Sequence, residues 1–168
     1  CIRDRKLSAS SEITGAGWAE VVFDGAQLVG LTESASKDNR FDILPAPFIA
    51  SVIEHNQSAD NPGLGNFDFR WMNAKNPALL KSKGLLNMPD RGVVVNEVGR
   101  RRLADNSLKI GDVILAIDGF EVDSEGKYLD PDYGRLSISG LATRAHSAKD
   151  TISMTIWRDQ SMHRIAYT

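Results

Sequence analysis

A single cysteine, Cys1, is all that 168 residues contain. That excludes an intrachain disulfide and any zinc site built on cysteine pairs, and it leaves the redox compartment and localisation unspecified. Neither sign of charge dominates: 20 Lys and Arg against 22 Asp and Glu leave a formal −2 and a pI near 5.9. The chain therefore lacks the basic field that nucleic-acid binding requires, and the triplet Arg100-Arg101-Arg102 reads as a solvated loop. No apolar run approaches the about 20 residues that span a bilayer, and no secretory signal is recognisable. No glycine-rich stretch runs into a helix with a lysine, so phosphate-loop chemistry is unsupported. His55, His146 and His163 are scattered, with no neighbour at metal-ligand spacing. No cofactor, metal or catalytic constellation is expected. Ile2-Arg3-Asp4-Arg5-Lys6 is not the small flexible spacer expected behind a lipidated cysteine, so a trimmed start is the expectation for Cys1.

What is present is 42% hydrophobic and 25% charged residues, an ordinary globular composition able to bury a core. The densest signal is Lys109-Ile110-Gly111-Asp112-Val113-Ile114-Leu115-Ala116-Ile117-Asp118-Gly119-Phe120. Alternation puts Val113, Leu115 and Ile117 on one face of a half-buried strand, entered through Gly111-Asp112 and left through the positive-φ turn Asp118-Gly119. Asp112 and Asp118 then lie at opposite ends of the strand, about 20 Å apart, too far for paired acid-base work. Together with Arg91-Gly92-Val93-Val94-Val95-Asn96-Glu97-Val98 ahead of it, this stretch resembles the core of a PDZ domain.

Upstream, Ala19-Glu20-Val21-Val22-Phe23 and Gln27-Leu28-Val29-Gly30-Leu31 read as strands joined by Asp24-Gly25-Ala26. Phe41-Asp42-Ile43-Leu44-Pro45 follows, and then a helix from Pro47 to about Asn56 with Phe48, Ile49, Val52 and Ile53 at helical spacing. This order resembles the last part of the trypsin-like domain of the Deg/HtrA serine proteases. In that family the nucleophile precedes the hairpin within Gly-Asn-Ser-Gly-Gly-Pro. The corresponding stretch here is Thr14-Gly15-Ala16-Gly17-Trp18-Ala19-Glu20, so Ala16 or Gly17 stands at the serine position, depending on a one-residue gap. Neither has a side chain able to attack a carbonyl. The resemblance thus implies a degenerate protease segment, and a half-barrel of this kind is expected to need another polypeptide or the second domain to cover its core.

Gln57-Ser58-Ala59-Asp60-Asn61-Pro62-Gly63 is a polar, turn-rich run that marks a boundary, giving a trypsin-like remnant over 1–57 and a second domain over 58–168. The latter resembles the circularly permuted PDZ domains of the same family, particularly the plant-type Deg proteins. Asn76-Pro77-Ala78-Leu79-Leu80 is expected to open a short helix that Gly84 ends, and the insert 124–133 is longer than a minimal PDZ connection. Thr151-Ile152-Ser153-Met154-Thr155-Ile156-Trp157-Arg158 and Met162-His163-Arg164-Ile165-Ala166-Tyr167 form a closing hairpin turned at Asp159-Gln160.

PDZ domains bind extended peptides by strand addition. Gly63, Leu64, Gly65, Asn66 and Phe67 stand where the family has its carboxylate-binding loop, and the strand 66–71 that follows would offer its edge. A helix over 136–146 should form the other wall, with Leu141, Ala142 and Ala145 bordering the pocket. The expectation is a mainly β protein with short helices (α+β): a partial trypsin-like β-barrel remnant followed by a permuted PDZ domain. Its expected function is noncatalytic recognition of a peptide or protein C-terminus or internal strand, with a homo-oligomer or a missing protease-domain partner also in view. Two rival readings are a fragment of a serine endopeptidase whose catalytic half lies on another chain, and an oligomerisation domain.

Overall fold

The computed structural model describes residues 6–10, 17–35, 40–57, 63–87, 90–99, 108–131, 133–144 and 146–168. The chain divides into two compact units, Cys1–Leu64 and Gly65–Thr168. Among the described residues no helix is long and apolar enough to cross a membrane. The architecture is mainly β with short helices, as expected.

The first unit is one antiparallel sheet ordered β1-β4-β3-β2, with β1 at Leu7–Ser10, β2 at Val21–Asp24, β3 at Gln27–Ala35 and β4 at Arg40–Pro45. Sequence reading missed β1, the four-residue segment Leu7-Ser8-Ala9-Ser10 that pairs with β4. Ala19, expected in the first hairpin strand, instead sits in a turn at φ 63°. Its N–H donates to Thr32 O at 2.7 Å. The helix α1 runs over Ala46–Asn56 with its proline in the first turn, where a missing N–H costs nothing. Gly30 pairs with Pro45 and Thr32 with Ile43; all four are buried. Val21 faces Leu31 and Phe23 faces Leu28 across β2 and β3, and Val21, Phe23 and Leu28 are exposed.

The second unit is a six-stranded sheet. Its order is β12-β11-β7-β6-β5, with β8 added on β7. Here β5 is Phe69–Asn73, β6 Val93–Val98, β7 Val113–Ile117, β8 Phe120–Glu121, β11 Ile152–Arg158 and β12 Ser161–Tyr167. The helix α2, Pro77–Ser82, starts as expected: Asn76 Oδ1 accepts from Ala78 N at 2.9 Å and Pro77 opens the first turn. Asp159 and Gln160 both take positive φ in the closing hairpin turn.

One expectation is corrected. Strand β7 is not half-buried: Val113, Ile114, Leu115 and Ile117 are all buried. One cluster holds Val113 and Leu115 with Leu79, Leu80 and Trp157 packed against it, while Ile114 and Ile117 join the larger core. An irregularity in the pairing with β11 shifts the register between Thr155 and Ile156. The shift breaks strict alternation and puts Ile114 and Ile117 on a common face. The insert contributes β9, Lys127–Asp130, which pairs as a hairpin with β10, Gly134–Ser137.

Candidate functional site

The helix expected over 136–146 is replaced by the end of β10 and a six-residue 3₁₀ helix, Ile138–Thr143. Leu136 is committed to the hairpin, paired with Tyr128. Ser137 Oγ caps Ser139 N at 3.3 Å. Gly140 weakens any longer helix, and five of the six residues are buried. Leu141 and Ala142 are each only 1% exposed and belong to the main core. They fill the interior rather than rim an open pocket, and Ala145 lies outside the described residues.

The expected binding loop is divided between the units, Gly63 and Leu64 grouping with the first and Gly65 onward with the second. Gly65 presses on the 3₁₀ helix: a Cβ there would lie 2.1 Å from Ala142 O and 3.6 Å from Ser147 O. Only glycine fits. Asn66 is exposed. Phe67 is buried, its ring 5.0 Å from Phe69 and 5.8 Å from Tyr167. Asp68 N donates to the Tyr167 hydroxyl at 2.8 Å. These contacts hold residues 66–68 out of the ladder, so the strand expected over 66–71 is shifted to 69–73.

Among the described strands, β5 is the edge of the sheet, with β6 on one side and none on the other. Val95 uses its N–H on Asp112 O and its C=O on Gly111 N, at 2.9 and 2.8 Å. Backbone direction alternates along an antiparallel strand, so Val94 points to its partner Met72, while Trp71 and Asn73, opposite Val95 and Val93, turn N–H and C=O to the open side. Just past the strand, Ala74 N donates to Ser124 O at 3.2 Å. Trp71 leans on the hairpin, since a Cβ on Gly126, at φ +74°, would come 2.4 Å from Trp71 Nε1.

Charged pairs brace this end. Lys75 and Lys127 lie at 2.5 and 3.6 Å from Glu125, and Arg135 pairs with Asp123 at 2.5 Å and with Glu125 at 3.3 Å. Burial pushes the Asp123 carboxyl up, but the Arg135 hydrogen bond, the N–H groups of Lys127 and Glu125, and the Arg135 charge together hold it below its ordinary value of 3.8. The Lys75 hydrogen bond, with the charges of Lys75, Arg135 and Lys127, holds Glu125 below 4.5.

Residues 14–16 of the serine-position segment lie outside the described residues. Gly17 O accepts from Thr32 Oγ1 at 2.7 Å, which ties this segment to β3. His163 contacts Ser161 Oγ at 2.8 Å on the exposed closing hairpin. His146 pairs through Nε2 with Asp118 Oδ2, while Asp118 Oδ1 accepts from Ser153 N at 3.0 Å. That pairing joins the exit of β7 to the segment after the 3₁₀ helix, and sequence spacing held no signal for it.

No protein-family model matches the chain. The curated protein "Putative protease Do-like 13" of Arabidopsis thaliana is 28% identical over 130 residues, which is 75% of this chain and 26% of that protein. Among solved structures, an HtrA-type protease AlgW variant with a decapeptide has a TM-score of 0.57 at 23% identity, covering 83% of this chain and 40% of that one. AlgW with a tripeptide has a TM-score of 0.56 at 23% identity, covering 83% and 44%. The chain thus spans about a quarter of the curated relative's length and about two-fifths of the solved ones.

Proposed function

We propose that this chain, Deg/HtrA-like in sequence and in fold, is a noncatalytic recognition module whose second unit, a PDZ domain, takes up an extended peptide segment along β5. The observation that carries the reading is the unpaired edge of β5, where Trp71 and Asn73 present backbone donors and acceptors to the open side. The AlgW chains solved with a decapeptide and a tripeptide lend analogy. The ligand is an internal extended segment rather than a terminal carboxylate. Ala142 O and Ser147 O lie against Gly65, and carbonyl oxygens there oppose an anion. The exposed pair Arg70 and Glu97, 3.4 Å apart, and exposed Met72 mark the solvent face beside which an added strand would run. The noncatalytic reading rests on Ala16 or Gly17 standing at the serine position.

The test is a titration of the full chain with a library of internal, amide-capped peptides, followed by amide NMR. Binding should shift Trp71 and Asn73, and Asn73→Pro should abolish it, because proline removes an outward N–H that the native ladder does not use. Binding undiminished in that variant would sink the strand-addition mechanism.

A second reading concerns the first unit and rests on the exposed Val21, Phe23 and Leu28. An apolar sheet face of this kind suits a further protein layer, either the rest of a barrel or a sister subunit in a homo-oligomer. Sedimentation velocity of the purified chain would separate self-association from a monomer awaiting another polypeptide.

A further inference from the structure

We infer that the second unit carries an oxyanion site, built from residues other than the β5 strand and its loop, that takes a small carboxylate- or phosphate-bearing ligand. Three segments meet there: the end of α2, the turn before β7, and the β11–β12 turn. They enclose a cleft of about 370 Å³, within the range of small-molecule sites.

The charges in the cleft are not balanced. Lys83, Lys109 and Arg158 line it against Asp112 and Asp159, an excess of one positive charge in a chain whose formal charge is −2. The acid deepest in it is already committed: Asp112, 2% exposed, accepts from Arg158 Nε at 2.7 Å, from Arg158 Nη2 at 2.6 Å and from Lys109 N at 2.7 Å. Asp112 therefore has little left to offer a cation. The ammonium of Lys83 donates to Gly111 O at 2.7 Å, and among the described residues no carboxylate lies within ion-pair distance of Lys83 or Lys109. Two ammonium groups thus flank the cleft without an acidic partner.

The neighbouring acceptors are also used. The end of a helix normally presents unpaired carbonyls that repel anions, but here Leu79 O accepts from Lys83 N and Ser82 Oγ, Leu80 O from Leu85 N, and Lys81 O from Gly84 N. Lys83 O accepts from Trp157 Nε1 at 2.8 Å. Trp157 therefore offers its ring rather than its N–H, an apolar wall beside the lysines. An anion with a flat or apolar body satisfies both the lysines and the ring.

The experiment follows the Trp157 indole N–H and the Gly84 and Gly111 amides by NMR in the full chain, titrated with inorganic phosphate or with acetate against sodium chloride at matched ionic strength. The expected result is saturable shifts at these three groups with phosphate, acetate or both, weakened at least tenfold in Lys83→Gln/Lys109→Gln. Tighter phosphate binding would mark a phosphoryl ligand, and acetate at least as tight would mark a carboxylate. Linear shifts equal to those of chloride, or binding indifferent to the double variant, would overturn the site. Lys109→Gln alone, whose side chain holds no backbone group, decides the matter should the double variant lose its dispersed spectrum. Asn73→Pro should leave this titration unchanged, so failure of peptide binding and failure of the anion site remain distinguishable.

Discussion

The two units differ in what they do with similar apolar material. Among the described residues the first buries Ile43 and Phe48 as large side chains but exposes Leu7, Trp18, Val21, Phe23, Leu28, Ile53 and Leu64. The second buries Phe67, Phe69, Val93, Ile114, Ile117, Ile138, Met154, Ile156 and others around one sheet, and exposes five large apolar residues. The cause is layering. An apolar sheet face must be covered by another layer to close a core. The second unit has a cluster on each face of β7, whereas in the first the face of Val21 and Phe23 stays open.

The sharpest test is at the deepest ion pair. Arg158→Met should destabilise the second unit by about 3–5 kcal/mol in urea unfolding, because Asp112 would keep a buried charge without its partner. Next, Ile117→Ala should cost about 2–5 kcal/mol through the cavity it leaves. Gly65→Ala should cost about 1–3 kcal/mol, since the new Cβ meets Ala142 O and backbone cannot yield cheaply. In the first unit, Phe23→Ser should move stability by no more than about 0.5 kcal/mol while reducing self-association in sedimentation. A cost like that of Ile117→Ala would break the comparison, since it would mean the face is covered.

The smallest effect is the response to acid. Asp123 and Glu125 have folded pKa values below their unfolded ones, so their contribution is full above the unfolded values and is lost as pH falls through the folded ones. Stability should decline below about pH 4.5, and Arg135→Met should flatten that decline. Because these groups are only part-buried and screened by solvent, the change should be slight. An unaltered acid limb in the variant would show that the hairpin charges do not brace β5.

Much of this was legible in local chemistry. Asn76-Pro77 announced α2 because a capping side chain followed by proline satisfies the orphan N–H groups of a first turn. Asp24-Gly25 and Asp159-Gln160 announced their hairpins through turn propensity. The β9–β10 hairpin was not legible, since Asp-, Gly- and Pro-rich sequence reads as loop, and pairing depends on a partner strand. The 3₁₀ helix was misread as a groove helix because Leu136, Ser139, Gly140 and Thr143 mimic helical spacing, although Leu136 belongs to a strand. The cleft was invisible: Lys83, Lys109 and Arg158 are scattered along the chain.

Sequence alone determined several of the strands, the start of α2 and the hairpin turns, because propensity, capping and side-chain chemistry act over a few residues. Tertiary structure alone decided that the edge strand runs over 69–73, that Gly65 is pinned against Ala142, and that Asp112 is spent on Arg158. Those outcomes depend on which distant segments pack together, and no local pattern encodes a contact between residues 46 positions apart.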